Sequence, residues 1–169
     1  DDENDINLTD NFGRTCLHLA MESGNTKLIQ FLLSKNGINL NARDKGGRTI
    51  LHYAASFNYI FVIQFLIDQG SFPQNQRNQS IYTFSSPYSS ISSKRKFDIM
   101  NINAKANHDW TALHFAAAGG YVEMCRLLIN ARYVNANARD TTGMTPLHLA
   151  VQHEKINTVK FLVDHKDVY

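Results

Sequence analysis

The chain has 169 residues, 43% hydrophobic and 19% charged, with a formal charge of +2, which is enough apolar mass for a continuous core and too little charge to hold nucleic acid by bulk electrostatics. No apolar run approaches the roughly 20 residues of a membrane helix, and no signal sequence is visible. Cys16 and Cys125 lie inside separate apolar helical patterns, which favours buried thiols over a disulfide and a cytoplasmic or nuclear setting.

Asp5-Ile6-Asn7-Leu8-Thr9-Asp10 reads as the tail of an earlier unit flowing into the first one. That unit, from about residue 10 to 43, holds Gly13-Arg14-Thr15-Cys16-Leu17-His18-Leu19-Ala20 and then the apolar run Leu28 to Leu33. Thr15 stands where a helix N-cap belongs, Gly24 separates two helical stretches, and Asn36-Gly37 marks the exit from the second. A second unit, 44–70, repeats the layout with Gly47-Arg48-Thr49-Ile50-Leu51-His52-Tyr53-Ala54 and Val62 to Ile67. Here Asn58 takes the place of the inter-helix glycine, asparagine being the next best residue for a left-handed backbone.

Residues 71–97 break the pattern with eight serines, two of the three prolines and no helical period, as expected of a flexible insertion. Within it Ser86-Pro87 is a candidate phosphorylation site, and Lys94-Arg95-Lys96 a candidate nuclear-import signal. Five aromatics, Phe72, Tyr82, Phe84, Tyr88 and Phe97, exceed what a linker needs. The third unit, 98–139, carries Asp109-Trp110-Thr111-Ala112-Leu113-His114-Phe115-Ala116 and Met124 to Ile129. Asp109 replaces the leading glycine and Ala106 an aspartate, so its turn should differ in shape. The fourth, 140–169, holds Gly143-Met144-Thr145-Pro146-Leu147-His148-Leu149-Ala150 and Val159 to Val163, with Glu154 where the inter-helix glycine would be. Its last run stays apolar where a terminal cap would turn polar, and the chain does not begin with methionine; both suggest a piece of a longer protein.

Thr15 and Thr49 are 34 residues apart, Thr111 and Thr145 also 34, while Thr49 and Thr111 are 62 apart, one unit plus an insertion of 28. The Thr-x-Leu-His-x-Ala core at this period, with Asn41-Ala42-Arg43-Asp44, Asn103-Ala104-Lys105 and Asn137-Ala138-Arg139-Asp140 between units, resembles the ankyrin repeat. The resemblance implies a single all-α solenoid of stacked helix-turn-helix units with β-hairpin-like fingers. It also implies that His18, His52, His114 and His148 form a ladder one repeat apart, bonded to the motif threonine and neighbouring backbone. Metal ligands must converge on one point, and a ladder does not.

No glycine-rich phosphate loop, Cys-x-x-Cys pair or His-Glu-x-x-His occurs, so neither an enzyme nor a cofactor, metal or small-molecule substrate is expected. The resemblance implies instead a protein-binding concave face of finger tips and first helices, serving an adaptor, inhibitor or substrate receptor. Carried over by position, that face takes in Phe12, Arg14, Arg43, Lys45, Arg48, Lys105, His108, Trp110, Arg139 and Met144 on the fingers, with Glu22, Phe57 and His153 on the helices. Six of its members are Arg or Lys against one acid, and Trp110 is expected to neighbour Phe57. These features suggest a protein or peptide partner bearing acidic residues around an apolar anchor. A scaffold segment of a longer array is the alternative. A nucleic-acid ligand is disfavoured by the lack of a continuous basic run, and no membrane contact is expected.

Overall fold

A computed structural model describes residues 5–68, 100–131, 134–165 and 167–168. The described helices pair as the sequence expects: α1 (Cys16–Ser23) with α2 (Thr26–Leu33), α3 (Ile50–Ser56) with α4 (Ile60–Asp68), α5 (Ala112–Gly119) with α6 (Val122–Asn130), and α7 (Pro146–Gln152) with α8 (Ile156–Val163). At seven to nine residues each, they are too short to persist alone in water. Packing must hold them.

Each first helix starts at its motif threonine, which has extended backbone. The backbone N–H of the threonine donates to Nδ1 of the histidine three residues on, at 3.2 Å for Thr15, 3.0 Å for Thr49, 3.1 Å for Thr111 and 3.2 Å for Thr145. The threonine hydroxyl lies 2.7–3.0 Å from the same nitrogen. A nitrogen that accepts an amide N–H carries no proton, so Nε2 is the protonated atom of each ring. From there His52 donates to Ala104 O at 2.9 Å and His114 to Met144 O at 3.2 Å. One side chain therefore caps its own helix and ties it to the next unit.

Four turns divide the helix pairs, and each needs a left-handed residue: Gly24 (φ 69°), Asn58 (57°), Gly120 (81°) and Glu154 (56°). Gly24 and Gly120 take this conformation freely, while Glu154 suffers the Cβ–carbonyl crowding that costs non-glycine residues about 1–2 kcal/mol. Because Glu154 is exposed, replacing it removes no buried contact. Glu154→Gly is expected to raise the unfolding free energy by about 1 kcal/mol in urea denaturation; a fall would reveal a side-chain role for this glutamate.

The first helices pack in a row, α1 on α3, α3 on α5 and α5 on α7, and α4, α6 and α8 line up behind them. Close approach in the front row requires small side chains. Ala20, Ala54, Ala116 and Ala150 fill that place, all 2% exposed or less. Behind them, Leu17, Met21, Ile29, Leu33, Leu51, Ile63, Leu66, Met124, Leu127 and Leu128 form one core running through all units. Each such side chain stabilises the fold by about 1.5–3 kcal/mol through removal from water. Among the described residues no helix is long and apolar enough to cross a membrane. The serine-rich insertion, with Ser86 and Lys94, Arg95 and Lys96, lies outside the described residues.

Candidate functional site

Ahead of each described helix pair the chain projects a turn on the side of the first helix, four in all, and aspartate builds three of them. Asp10 Oδ1 accepts the N–H of Phe12 at 2.8 Å and of Arg14 at 2.9 Å, Asp44 Oδ1 that of Arg48 at 2.8 Å, and Asp140 Oδ1 those of Thr142 and Met144 at 2.8 and 2.9 Å. In every finger a backbone bond closes the turn, from Asp10 N to Arg14 O, Asp44 N to Arg48 O, Ala106 N to Trp110 O and Asp140 N to Met144 O. The fingers are thus hairpin-like turns; among the described residues the single bridge is Thr9 to Thr15, and no strand forms.

The third finger differs in shape, as its missing aspartate and glycine suggest. Asp109 takes the left-handed backbone (φ 62°) that Gly13, Gly47 and Gly143 supply elsewhere, and His108 beside it is left-handed too (φ 60°). Lys105 Nζ, 2.7 Å from Asp109 Oδ2, braces the turn from outside.

Adjacent fingers are zipped together by backbone bonds: Lys45 N to Phe12 O at 2.8 Å, Asn107 N to Gly46 O at 2.8 Å and Thr141 N to His108 O at 3.0 Å. This leaves little room at the crossing. A Cβ on Gly13 would lie 3.1 Å from Lys45 N and would need positive φ as well. The row of fingers is a pre-shaped ledge.

The expected excess of free positive charge on this ledge is corrected by the ion pairs. Arg14 reaches Asp10 at 2.7 Å and Glu22 at 2.6 Å, and its guanidinium lies 5.0 Å from the centre of the Phe12 ring. Arg48 lies 3.6 Å from Asp44, and Lys105 is paired with Asp109. Arg43 donates to Gly47 O at 2.9 Å and to Lys105 O at 2.8 Å, and Arg139 to Gly143 O at 2.9 Å. Arg43 and Arg139 therefore serve as turn braces. Lys45, exposed, is left without an ion pair among the described residues. Against burial, which works the other way, hydrogen bonds from Arg14 and Phe12 hold Asp10 below the usual carboxylate range. The Thr142 hydroxyl, with further donors, holds Asp140 near 2. The sequence counted cations on the face and missed the anions set to meet them, although the spacings Asp10-x-x-x-Arg14 and Asp44-x-x-x-Arg48 carried the signal.

Trp110 is also placed differently from expectation. Its ring meets Phe115 edge-on at 5.0 Å, stacks toward His114 at 6.2 Å, and donates from Nε1 to Asp140 Oδ2 at 3.2 Å. Phe57 contacts Tyr53 and Tyr59 instead. Trp110 is half-buried and fixed by the fourth finger, whereas Phe57 stays exposed at the end of α3. Met144 is half-buried and uses its carbonyl to receive His114; His108 and His153 are exposed.

A cleft of about 240 Å³ opens between the first two fingers, lined by Phe12, Arg14, Glu22, Asp44, Lys45, Gly46, Arg48 and Tyr53. Its back wall is Tyr53, whose hydroxyl donates to Asp44 at 2.9 Å and, more weakly, to Glu22 at 3.4 Å. Burial, reinforced by those carboxylates, raises its pKa and keeps the phenol protonated. Phe12, 63% exposed, stands at the rim. The arrangement offers an apolar edge, fixed donors and one unpaired lysine. Among the described residues no three His, Cys, Asp or Glu side chains gather as a metal site would require.

The sequence profile described as Ankyrin repeats (3 copies) matches residues 2–77 and 91–169. Mouse liver-isoform mitochondrial glutaminase is 36% identical over 97 residues, 55% of this chain and 16% of its own length, a likeness carried by the repeats. Mouse protein phosphatase 1 regulatory subunit 12A is 49% identical over 55 residues, 32% of this chain and 5% of that protein. Human Rabankyrin-5 is 34% identical over 65 residues, 38% of this chain and 6% of that protein. The chain spans less than a fifth of the length of each of these relatives.

Proposed function

This chain belongs to the ankyrin-repeat family, whose repeats are non-catalytic protein–protein interaction modules, and from that premise we propose that it captures a partner protein on the finger ledge, centred on the cleft between the first two fingers. The observation that carries this reading is Phe12, a large apolar side chain held 63% exposed beside that cleft by backbone bonds that pre-shape its finger. A side chain pre-positioned in this way loses little entropy on binding.

The partner is an extended or helical segment that sets an apolar residue against Phe12 and an acidic one beside Lys45 and Arg48. Trp110, Phe57, His108 and His153 extend the contact along the face. Most of the arginines here already have partners, so the attraction is local to the cleft and does not come from a broad positive field. The domain works as an adaptor, inhibitor or substrate receptor. Its two free thiols, Cys125 pushed up to about 12 by burial, support a reducing compartment, the cytoplasm or nucleus.

The test is selection of peptides from a displayed random library on the wild-type domain, followed by titration calorimetry of the selected peptides on variants. Phe12→Ala and the pair Lys45→Glu with Arg48→Glu should each weaken binding about tenfold or more, about 1.4 kcal/mol, with melting curves unchanged. Undiminished binding by both would remove this cleft from consideration.

A further inference from the structure

We propose that Asn36 is a self-modifying site, where the backbone nitrogen of Gly37 displaces the side-chain amide and the isoaspartate that results breaks a clasp between residues 5–8 and the loop after α2. The chemistry has three requirements. The side-chain amide must be free to turn toward the next peptide nitrogen, that N–H must not be held by an acceptor, and its residue must carry no Cβ to crowd the ring that forms. Asn36 is the one asparagine in the chain followed by glycine. Helix α2 ends at Leu33, which leaves the peptide between Asn36 and Gly37 outside the helical bond pattern, and both residues are exposed. Among the described residues no acceptor holds Gly37 N–H and no hydrogen bond holds the Asn36 side chain. Other asparagines are restrained: Asn25 Oδ1 accepts the N–H of Leu28, Asn39 Oδ1 that of Asn41 and Asn135 Oδ1 that of Asn137. Each of these is also followed by a residue with a side chain.

In the first step Gly37 N bonds to Cγ of Asn36 and loses its proton, the Cγ–Nδ2 bond breaks, and the leaving nitrogen departs as ammonia with that proton. Water then opens the succinimide ring at either carbonyl. One product is aspartate; the other is isoaspartate, whose main chain runs through Cβ and Cγ and is longer by one carbon. No oxidant, metal or enzyme is required. A longer main chain does not fit the loop as it stands. Gly37 O accepts Asn7 Nδ2 at 2.8 Å, and Asn7 Oδ1 in turn accepts Asn39 N at 2.7 Å, so one side-chain amide clasps the loop on both sides of Ile38. The element recurs: Asn103 Oδ1 accepts Asn135 N at 2.8 Å, and Asn137 Nδ2 donates to Asp167 O at 2.8 Å. Leu33 is 1% and Ile38 6% exposed, so both ends of the intervening stretch are anchored in the core and resist shifting to absorb an extra carbon. The Gly37 carbonyl moves instead, and Asn7 loses its acceptor. In repeat four Lys166 stands in the place of Asn36, so the clasp on Asp167 does not age in this way.

Incubating the folded protein at mildly alkaline pH and mapping its peptides by mass spectrometry over time tests this. Conversion is expected at Asn36 ahead of every other asparagine, with isoaspartate counted by methyl transfer from an isoaspartyl methyltransferase. Asn36→Gln should lose the methyl-accepting signal, because its longer side chain closes a ring far more slowly, and at an exposed site it leaves the fold intact. Gly37→Ala should slow the conversion several-fold. Hydrogen exchange reads the clasp: in the aged wild type the Asn39 amide should exchange about tenfold faster, while in aged Asn36→Gln it should keep its protection. Asn36→Asp, which has the charge without the extra carbon, should keep it too. A wild type that retains its Asn36 amide throughout, or isoaspartate at position 36 with the Asn39 amide still protected, overturns the proposal.

Discussion

Taking the protein from pH 7 to pH 4 is expected to cost about 3 kcal/mol of folding free energy through His52 alone. Burial lowers the pKa of this fully enclosed ring from 6.5 to about 4, despite hydrogen bonds to Ala104 and Trp110 carbonyls that pull the other way. An unfolded chain therefore takes up a proton near pH 6.5 that the folded chain refuses until about pH 4. Stability is complete above pH 6.5 and drains away as the pH falls through that window, at 1.36 kcal/mol per pH unit for each proton withheld.

His18 and His114 are shifted downward for the same reason, so they steepen the loss. The sign is independent of the acids: Asp10 and Asp140, depressed below the carboxylate range, add their share only at lower pH. Urea denaturation at pH 7, 6, 5 and 4 measures the effect. His52→Gln preserves the helix cap, glutamine being a capping-box residue at this position, and should flatten the slope between pH 6.5 and 4. A wild type equally stable at pH 7 and pH 5 would contradict the neutral, enclosed state of these rings.

Cutting one leucine to alanine should cost very different amounts at the same motif position. Leu51→Ala removes a side chain with no exposure, packed within a unit that has neighbours on both sides. Lost transfer energy and the cavity left behind make that about 2–5 kcal/mol. Leu147→Ala, one insertion and two periods later, removes a half-buried side chain with no described repeat beyond it, and should cost about 1 kcal/mol. Since a repeat array is stabilised mainly through nearest-neighbour interfaces, the gap between these variants in chemical denaturation measures what one junction contributes. Equal costs would mean that the leucine stabilises its own helix pair and not the stack.

Much of this architecture could be read from the letters because its causes are local. Thr15 capping through His18, the left-handed turn at Gly24, the asparagine substitute at Asn58 and the altered third finger all depend on residues within a few positions of one another. The apolar runs at a 34-residue period then leave stacking as the way to bury both helices of each unit. The candidate face was only half legible. Position in the repeat says which residues lie on the fingers and first helices, but it does not say whether a side chain is already occupied.

That question is settled by contacts between distant parts of the chain. Arg43 is held by the carbonyl of Lys105, 62 residues away, and Trp110 by the carboxylate of Asp140, 30 residues away. Both depend on how one finger crosses the next. The units, their caps and their order are legible in the letters, since each follows from spacing along the chain. Which cations are spent on bracing turns, and which histidines reach a carbonyl of the next repeat, emerges from the packing alone, because those properties belong to the meeting of two repeats and not to either one.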